Sequence, residues 1–240
     1  MANYLGNWAV IDIETSGIRP EDDSIIDVGY LQFEGTQLIR KYSSLVRFPM
    51  SPLHHENYGK FIEKLTGISR EMLNNSPLWE EVLPEVKELQ DHYLIAHNSD
   101  FEHSFLADWL GLPAAPSQES PGFIDSIFYL SLLHPEKTAL NLEEFITSYG
   151  LRDGEIHRGF EDSLDLLKVM ILATLKTKKD SAQSQLIKEL FFKYHLQDWW
   201  FAHFFNLSRE ELYEIADQIE FCPDEFLDNL NPETVEESLI

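Results

Sequence analysis

Asp12 and Glu14 are two positions apart in the apolar run AVIDIETSG. They are the first residues along the chain whose spacing indicates metal binding or catalysis. If this run is a β-strand, both carboxylates leave one face of it, while Ile11 and Ile13 leave the other. Carboxylates in an apolar strand are costly unless a positive charge neutralises them, and a divalent cation is a common partner. The pair therefore predicts a metal site at the end of the strand.

Two further acids, Asp100 and Glu102, lie in the stretch YLIAHNSDFEHSFLADWLG. A helix beginning near Asn98 places Glu102 among the apolar side chains and Asp100 on the opposite side, in solvent. The expected apolar face contains Phe101, Phe105, Leu106, Trp109 and Leu110, and the expected solvent face contains Ser104 and Ala107. An inward-facing acid needs either a cation or a buried His or Arg as its partner.

The segment FEDSLDLLKVMILATLK contributes a third acidic group. Helical periodicity puts Asp162 on the apolar face with Leu166 and Val169, and it predicts that Glu161 and Asp165 share the polar face with Lys168. His157 precedes Asp162 in a loop that also contains Gly154 and Gly159, and a mobile imidazole beside an inward acid is suited to act as a general base. Several carboxylates and one base are what phosphodiester hydrolysis by two metal ions requires.

Three ordered motifs then resemble those of the DEDDh family of 3′→5′ exonucleases, the DnaQ-like group with a ribonuclease-H-like fold. They are Asp12-Ile13-Glu14-Thr15-x-Gly17, Ala96-His97-Asn98-x-x-Phe101-Glu102-x-x-Phe105-Leu106, and His157-x-x-x-x-Asp162. Leu140-Asn141-Leu142, Tyr149-Gly150-Leu151 and Leu65-Thr66-Gly67-Ile68 also match segments found in such enzymes. The resemblance covers about residues 7 to 175.

The resemblance implies a role for each matching residue. Asp12, Glu14 and Asp162 would hold one Mg²⁺ or Mn²⁺ ion, Asp12 would bridge to a second ion that Glu102 serves, and His157 would deprotonate the attacking water. The residues expected to border the terminal nucleotide are Thr15, Gly17, Ile68, His97, Asn98 and Phe101. The family usually has Phe-Asp where this chain has Phe101-Glu102, and similar Phe-Glu variants occur at the N-terminus of DinG-like helicases.

The elements that must position these residues follow from pattern and turn signals. Five strands are predicted, in the segments NWAVIDIE, SIIDVGYLQFEG, QLIRKYSSLVRF, HYLIA and GFIDS. Helical segments are predicted at HENYGKFIEKLT, SREMLNN, PLWEEVLPEVKELQ, NLEEFITSYG and the two acid-bearing stretches. The fold class is therefore α/β, a mixed five-stranded ribonuclease-H-like sheet flanked by helices, with a small C-terminal helical segment.

The predicted division is an exonuclease domain over residues 1–178 and an acidic, aromatic helical extension over residues 179–240. The extension contains KELFFKYHLQDWWFAHFFNL, whose aromatic side chains form either a cap packed on the domain or a docking surface for another domain, such as a helicase or a polymerase.

The composition sets limits on location and partners. A single cysteine, Cys222, excludes an internal disulfide framework, and no apolar run or leader suggests a membrane span or signal peptide, so a cytoplasmic protein is expected. The net charge of −24 argues against capture of nucleic acid by a basic surface. The most plausible phosphate contacts are Arg152, Arg158, Lys168, Lys176, Lys178 and Lys179.

The sequence therefore predicts a metal-dependent 3′→5′ exonuclease that acts on single-stranded ends, on DNA rather than RNA. Two alternatives stay open, an RNA-trimming exoribonuclease and a catalytically impaired nuclease fold that serves as a binding or docking module. The glutamate at position 102, the negative charge and the aromatic extension favour the second alternative.

Overall fold

A five-stranded mixed sheet forms the centre of the molecule in the computed structural model, which describes residues 5–47, 62–112 and 121–227. Its strands are β1 (Asn7–Thr15), β2 (Ile25–Glu34), β3 (Gln37–Leu45), β4 (Tyr93–Ala96) and β5 (Gly122–Asp125). The strand order is β3-β2-β1-β4-β5. The first three strands form an antiparallel meander, and β4 and β5 add to β1 in parallel. The predicted fold class is confirmed.

Helices cover both faces of this sheet. They are α1 (Glu63–Thr66), α2 (Arg70–Asn74), α3 (Trp79–Lys87), α4 (Asp100–Leu110), α5 (Ser126–Leu133), α6 (Leu142–Ser148), α7 (Gly159–Lys179), α8 (Ser181–Lys193), α9 (Trp200–Asn206), α10 (Arg209–Gln218) and α11 (Asp224–Leu227). One face of the sheet packs on α3 and α4, and the other packs on α5, α6 and α7. Most of the helix predicted over residues 55–66 lies outside the described residues.

Two glycines allow α7 to begin directly on the sheet. A Cβ atom on Gly29 of β2 would overlap the backbone of Phe160, and one on Gly159 would lie 2.7 Å from the Gly29 nitrogen and 2.8 Å from the Asp12 carbonyl oxygen. The Ser163 hydroxyl reinforces this contact by donating to the Gly29 carbonyl at 3.0 Å, or to that of Gly159 at 2.7 Å. The first turn of α7 is therefore fixed against the strand residues that pair at Asp12 and Gly29.

The aromatic residues after position 180 pack on the sheet. Trp8 of β1 stacks on Phe33 at 4.2 Å between ring centroids and contacts Trp200 at 5.1 Å. The Trp200 indole donates to the Leu5 carbonyl at 3.1 Å, and Phe201 stacks on a buried tyrosine of α5. Of the two expectations for this extension, a cap packed on the domain describes these buried side chains. The boundary at residues 178/179 stays a prediction.

Three local features differ from the expectations. The segment after β5 forms helix α5, for which no helix was predicted. On α4, Ala107 is buried, whereas Trp109, expected on the apolar face, is 48% exposed. The buried side of the C-terminal turn of α4 is formed by Ala107 and Leu110, while Trp109 contacts Trp79 edge to face at 5.9 Å between ring centroids, at the edge of this packing. No helix among the described residues has the length and apolar character needed to cross a membrane.

Candidate active site

The C-terminal half of β1 presents two carboxylates on one face. Asp12 pairs with Gly29 and Glu14 pairs with Asp27 in the β1–β2 ladder, whose register shifts between Glu14 and Thr15. The apolar neighbours of the two acids face the opposite side of the sheet and are buried against α3 and α4. The alternation predicted from the sequence is therefore confirmed.

The helix α4 brings Glu102 toward this strand and leaves Asp100 in solvent. The Glu102 side chain is only 2% exposed, and its Oε2 atom has no hydrogen-bond partner within the described part of the chain. Asp100 is exposed in the same helical turn. The orientation predicted for the two acids is confirmed, and the alternative of a buried pair with His or Arg finds no support at this unpartnered oxygen.

The fourth carboxylate of the cluster, Asp162, is buried in the first turn of α7. Its Oδ2 accepts the Arg158 backbone N–H at 2.9 Å, and its Oδ1 accepts from the Arg152 guanidinium at 3.0 Å. One ligand atom each from Glu14, His157 and Asp162 lie within 4.8 Å of one another. His157, only partly buried, is in a left-handed conformation with φ 57°, which turns the loop into the helix.

A buried ion pair holds the loop that contains His157. The Arg158 Nε donates to Asp27 Oδ2 at 2.7 Å, and Asp27 lies opposite Glu14 on the neighbouring strand. Because Arg158 also donates its backbone N–H to Asp162, the residue after His157 is tied both to the sheet and to the helix. These contacts fix the imidazole beside Glu14 and Asp162.

Repulsion among these acids is large when no cation is bound. Burial, followed by the charges of Glu102, Glu14 and Asp162, raises the pKa of Asp12 well above its ordinary value. Burial is also the largest cause that raises the pKa of Glu14 to about 8, with Asp162 next. The pKa of Glu102 rises to about 8 for the same main reason, with Asp125 the leading charge. Such a group of oxygen donors fits a hard divalent cation, which would offset the repulsion.

Two acids near the site differ from what the sequence predicted. Asp165 was predicted on the polar face of α7, but it is 3% exposed and forms ion pairs with Arg152 and Lys168. Its partner Arg152 lies in the irregular segment before α7, and the periodicity of α7 alone does not indicate a contact with that segment. Glu155, which was not predicted at the site, has a pKa raised to about 7, by burial and then by Asp162. It lies in an irregular loop, where no periodicity marks a side chain as inward.

The ion pairs also change the expectation for phosphate contacts. Of the six basic residues proposed from the sequence, Arg152, Arg158 and Lys168 are engaged with buried acids. Lys178 donates to the Leu207 carbonyl. The first three side chains therefore compensate buried acids in and beside the cluster, and the Lys178 contact holds the end of α7 against Leu207.

The corner between β4 and α4 is held by hydrogen bonds from two of the residues predicted to border a nucleotide. Both ring nitrogens of His97 are engaged, Nδ1 with Ser126 Oγ at 2.9 Å and Nε2 with the Leu140 carbonyl at 2.7 Å. Asn98 is exposed with φ 65°, and its backbone N–H donates to Asp125 Oδ1 at 3.1 Å. His97 thus has a structural function at this corner, while the Asn98 side chain is in solvent beside the site.

The remaining four predicted substrate-binding residues differ in exposure. Thr15 is buried, and its hydroxyl donates to the Gly17 carbonyl, so the chain turns sharply after β1. Phe101 is half-buried and packs on Phe105 at 5.2 Å between ring centroids. Ile68 is fully buried in a small cluster below α2. Phe101 and the turn at Gly17 are therefore accessible next to the carboxylates, whereas Ile68 supports the site from within.

The fold and this cluster together define a class of protein, the DnaQ-like exonucleases. A family model described as an exonuclease, RNase_T, matches residues 9–170. The chain belongs to this family, in its DEDDh branch.

The curated relatives are longer proteins, and the chain matches one part of each. It is 30% identical over 173 residues to DNA polymerase III PolC-type of Thermotoga maritima, matching 72% of this chain and 12% of that protein. It is 28% identical over 204 residues to 3′-5′ exonuclease DinG of Staphylococcus aureus, matching 82% of this chain and 22% of that protein. The chain thus spans less than a quarter of the length of either relative.

Solved structures share the fold at low sequence identity. The complex of E. coli Exonuclease I with a dA16 oligonucleotide has a TM-score of 0.57 and 15% identity, covering 78% of this chain and 43% of that one. The nuclease domain of 3′hExo, a DEDDh family member bound to rAMP, has a TM-score of 0.51 and 18% identity, covering 70% and 92%. These likenesses support the fold assignment alone.

Proposed function

We propose that this chain is a metal-dependent 3′→5′ exonuclease that hydrolyses the terminal phosphodiester bond of single-stranded nucleic acid, with DNA preferred over RNA. The observation that carries the proposal is the convergence of carboxylates from β1, α4 and α7 with a histidine from the loop before α7. A structural role alone does not account for the unpartnered buried oxygen of Glu102.

The acids are the groups that would hold the cations. Asp12, Glu14 and Asp162 would hold one Mg²⁺ or Mn²⁺ ion, and Asp12 and Glu102 would serve a second. The two ions would stabilise negative charge on the attacking and leaving oxygens around the scissile phosphate. Oxygen ligands without any cysteine favour these hard ions over zinc.

His157 would act as the general base. Its imidazole accepts a proton from water as the water oxygen attacks phosphorus, and the bond between phosphorus and the 3′ oxygen of the preceding nucleotide breaks. A nucleoside 5′-monophosphate is released. The Asp27–Arg158 ion pair supports this role because it holds the loop in which the imidazole is presented.

The identity of the polymer and of any partner are part of the same proposal. The relative named as a DNA polymerase favours DNA, and the lengths of both relatives favour action beside a polymerase or helicase domain. The aromatic extension over residues 179–240 would connect to such a domain. A cytoplasmic location stays a prediction from the sequence.

The test is degradation of 5′-labelled single-stranded DNA and RNA oligonucleotides with Mg²⁺, with Mn²⁺ and with chelator. The expected result is a metal-dependent ladder on DNA that Asp12→Ala abolishes and that His157→Ala slows by about 10²- to 10⁴-fold. A stronger ladder on RNA would indicate the exoribonuclease. No cleavage of either polymer with either metal would refute the proposal and leave a docking module.

A further inference from the structure

Two of the five tryptophans lie outside the large aromatic core. Trp8, Trp199 and Trp200 are buried at 2% exposure or less. Trp79, at the first residue of α3, and Trp109, near the end of α4, instead contact each other edge to face at 5.9 Å between ring centroids. With Trp109 48% exposed, this pair presents aromatic surface to solvent at a position where helical periodicity predicts burial.

The tryptophan pair lines a surface cleft of about 150 Å³ whose other walls include Ile25, Arg47 and Phe105. This cleft, here called the tryptophan cleft, is open to solvent and contains both polar and apolar atoms. Its size fits the edge of one planar ring inserted between side chains. The cleft therefore has a volume and an aromatic lining that suit a base.

Two walls of the tryptophan cleft contact residues beside the proposed active site. Ile25 pairs with Thr15 at the end of β1, and Phe105 packs on Phe101. Glu102 and Trp109 are seven residues apart on α4, so they lie on the same side of the helix, about 10 Å apart along its axis. A strand whose 3′ end reaches the carboxylates can therefore extend along α4 to the cleft.

Arg47 supplies the positive charge at this cleft. Its backbone N–H donates to the Pro77 carbonyl at 2.7 Å and its Nε donates to the Ser76 carbonyl at 2.9 Å, while the residue as a whole is exposed. The guanidinium is thus held in place at the rim. The Trp79 indole Nε1 has no hydrogen-bond partner within the described ranges, which leaves one donor available to a ligand acceptor if the ring shifts.

We propose that Trp79, Trp109 and Arg47 form a subsite that stacks a base of the substrate strand upstream of the scissile phosphate. This inference rests on the proposed exonuclease function and deepens it. Stacking on aromatic rings is tolerant of sequence and does not depend on a basic surface. A protein with a net charge of −24 repels a polyanion at long range, so it gains more from such contacts than a basic nuclease does.

The test compares the hydrolysis of two substrates by the 240-residue chain and its variants. Thymidine 5′-monophosphate p-nitrophenyl ester reports the chemistry without upstream nucleotides, and 5′-labelled (dT)8 includes them. For Trp109→Ala, the KM for (dT)8 is expected to rise by about 5- to 150-fold, the range expected for loss of one base stack, with the ester hydrolysed as by wild type. Trp109→Phe retains a ring and restores most of the difference. Phe192→Ala, which removes another exposed aromatic ring away from the cleft, is the control.

Binding is measured separately from activity through tryptophan fluorescence. With chelator present, (dT)8 is expected to quench the emission of wild type at Trp79 and Trp109, because the three tryptophans outside the cleft are in the core. Trp109→Ala is expected to reduce the quenching to the part that Trp79 contributes. An unchanged KM together with unchanged quenching in Trp109→Ala would overturn the subsite. Failure of wild type to hydrolyse either substrate overturns the exonuclease function instead, and the quenching experiment then still decides whether the cleft binds a strand.

Discussion

At the scale of single residues, Glu102 distinguishes this site from the usual family pattern. A glutamate is one methylene longer than an aspartate, about 1.5 Å of bond length, and has one more rotatable torsion. Its carboxylate is nevertheless buried and lies within electrostatic reach of Asp12, whose pKa it raises. The longer side chain thus keeps its charge in the cluster, and we infer that it substitutes for the aspartate rather than disabling the site.

Substitutions at the two acids of α4 test this inference. We expect Glu102→Ala to lower kcat on an oligonucleotide by at least about 100-fold, because the proposed ligand of the second cation is lost, and Glu102→Asp to retain measurable activity. Asp100→Ala, which removes an exposed acid two residues away, is the matched control and is expected to cleave as wild type does. Cleavage by Glu102→Ala at the rate of wild type would show that Glu102 has no part in the reaction.

The acidic cluster also makes stability depend on pH when no metal is bound. The pKa of Glu102 is raised from 4.5 to about 8 in the folded protein, so between these values the folded state keeps a proton that the unfolded state has lost. Stability of the metal-free protein is therefore expected to fall as the pH rises through this window. The measurement is Tm in chelator from pH 5 to pH 8.5, and added Mg²⁺ should reverse much of the loss.

Glu102→Gln separates this effect from general changes in charge. In chelator at pH 8 the variant is expected to have a Tm at least about 2–4 °C above that of wild type, the shift that ~1 kcal/mol gives in a protein of this size. Asp100→Asn, whose acid is in solvent, should leave Tm unchanged. A lower Tm for Glu102→Gln would contradict the repulsion inferred from the raised pKa values.

At the scale of elements, the site depends on where α7 meets the sheet. The sequence was sufficient to predict the strand alternation at Asp12 and Glu14 and the inward phase of Glu102 and Asp162, because each follows from the period of one element. It was not sufficient for Asp165, whose burial results from ion pairs with a loop arginine. Contacts between an irregular loop and a helix leave no periodic pattern in the sequence, and helix α5 lacks the polar face that usually reveals a helix.

Gly29 is the contact on which the placement of α7 depends. A Cβ at this position would overlap the backbone of Phe160, so Gly29→Ala must push the first turn of α7 away from the strand and displace Asp162. We expect a loss of about 1–3 kcal/mol in the free energy of unfolding, as for overpacking, and a kcat at least about tenfold lower. Chemical denaturation and oligonucleotide cleavage measure the two effects.

The control for Gly29→Ala adds a side chain at the turn between β2 and β3. Gly35 has φ 58°, and no heavy atom lies within 4 Å of the point that a Cβ atom would occupy there. Gly35→Asn introduces a residue that tolerates this conformation, so it should change neither stability nor kcat appreciably. If Gly29→Ala behaves like this control, the close approach of α7 is not what positions Asp162.

At the scale of the whole molecule, the C-terminal extension continues the core of the nuclease fold. One hydrophobic cluster joins Trp8 and Phe33 of the sheet to Trp200, Phe204 and the residues of α10. The sequence predicted a separate extension because its composition changes near residue 180. Composition does not report which surface an aromatic segment covers, so the predicted boundary at residues 178/179 requires a direct test.

Truncation after Lys178 provides that test. Removal of the extension would expose the stacked Trp8 and Phe33 rings, now buried at 1% exposure or less, and we expect the fragment 1–178 to aggregate or lose its cooperative unfolding transition. In the untruncated chain, Trp200→Ala should cost about 3–5 kcal/mol, while Phe192→Ala, at 72% exposure, should cost little. Cooperative unfolding of the fragment, with wild-type hydrolysis of the mononucleotide ester, would instead establish residues 1–178 as an independent domain. In that case the buried aromatic face would have to serve the attachment of the extension rather than the stability of the nuclease.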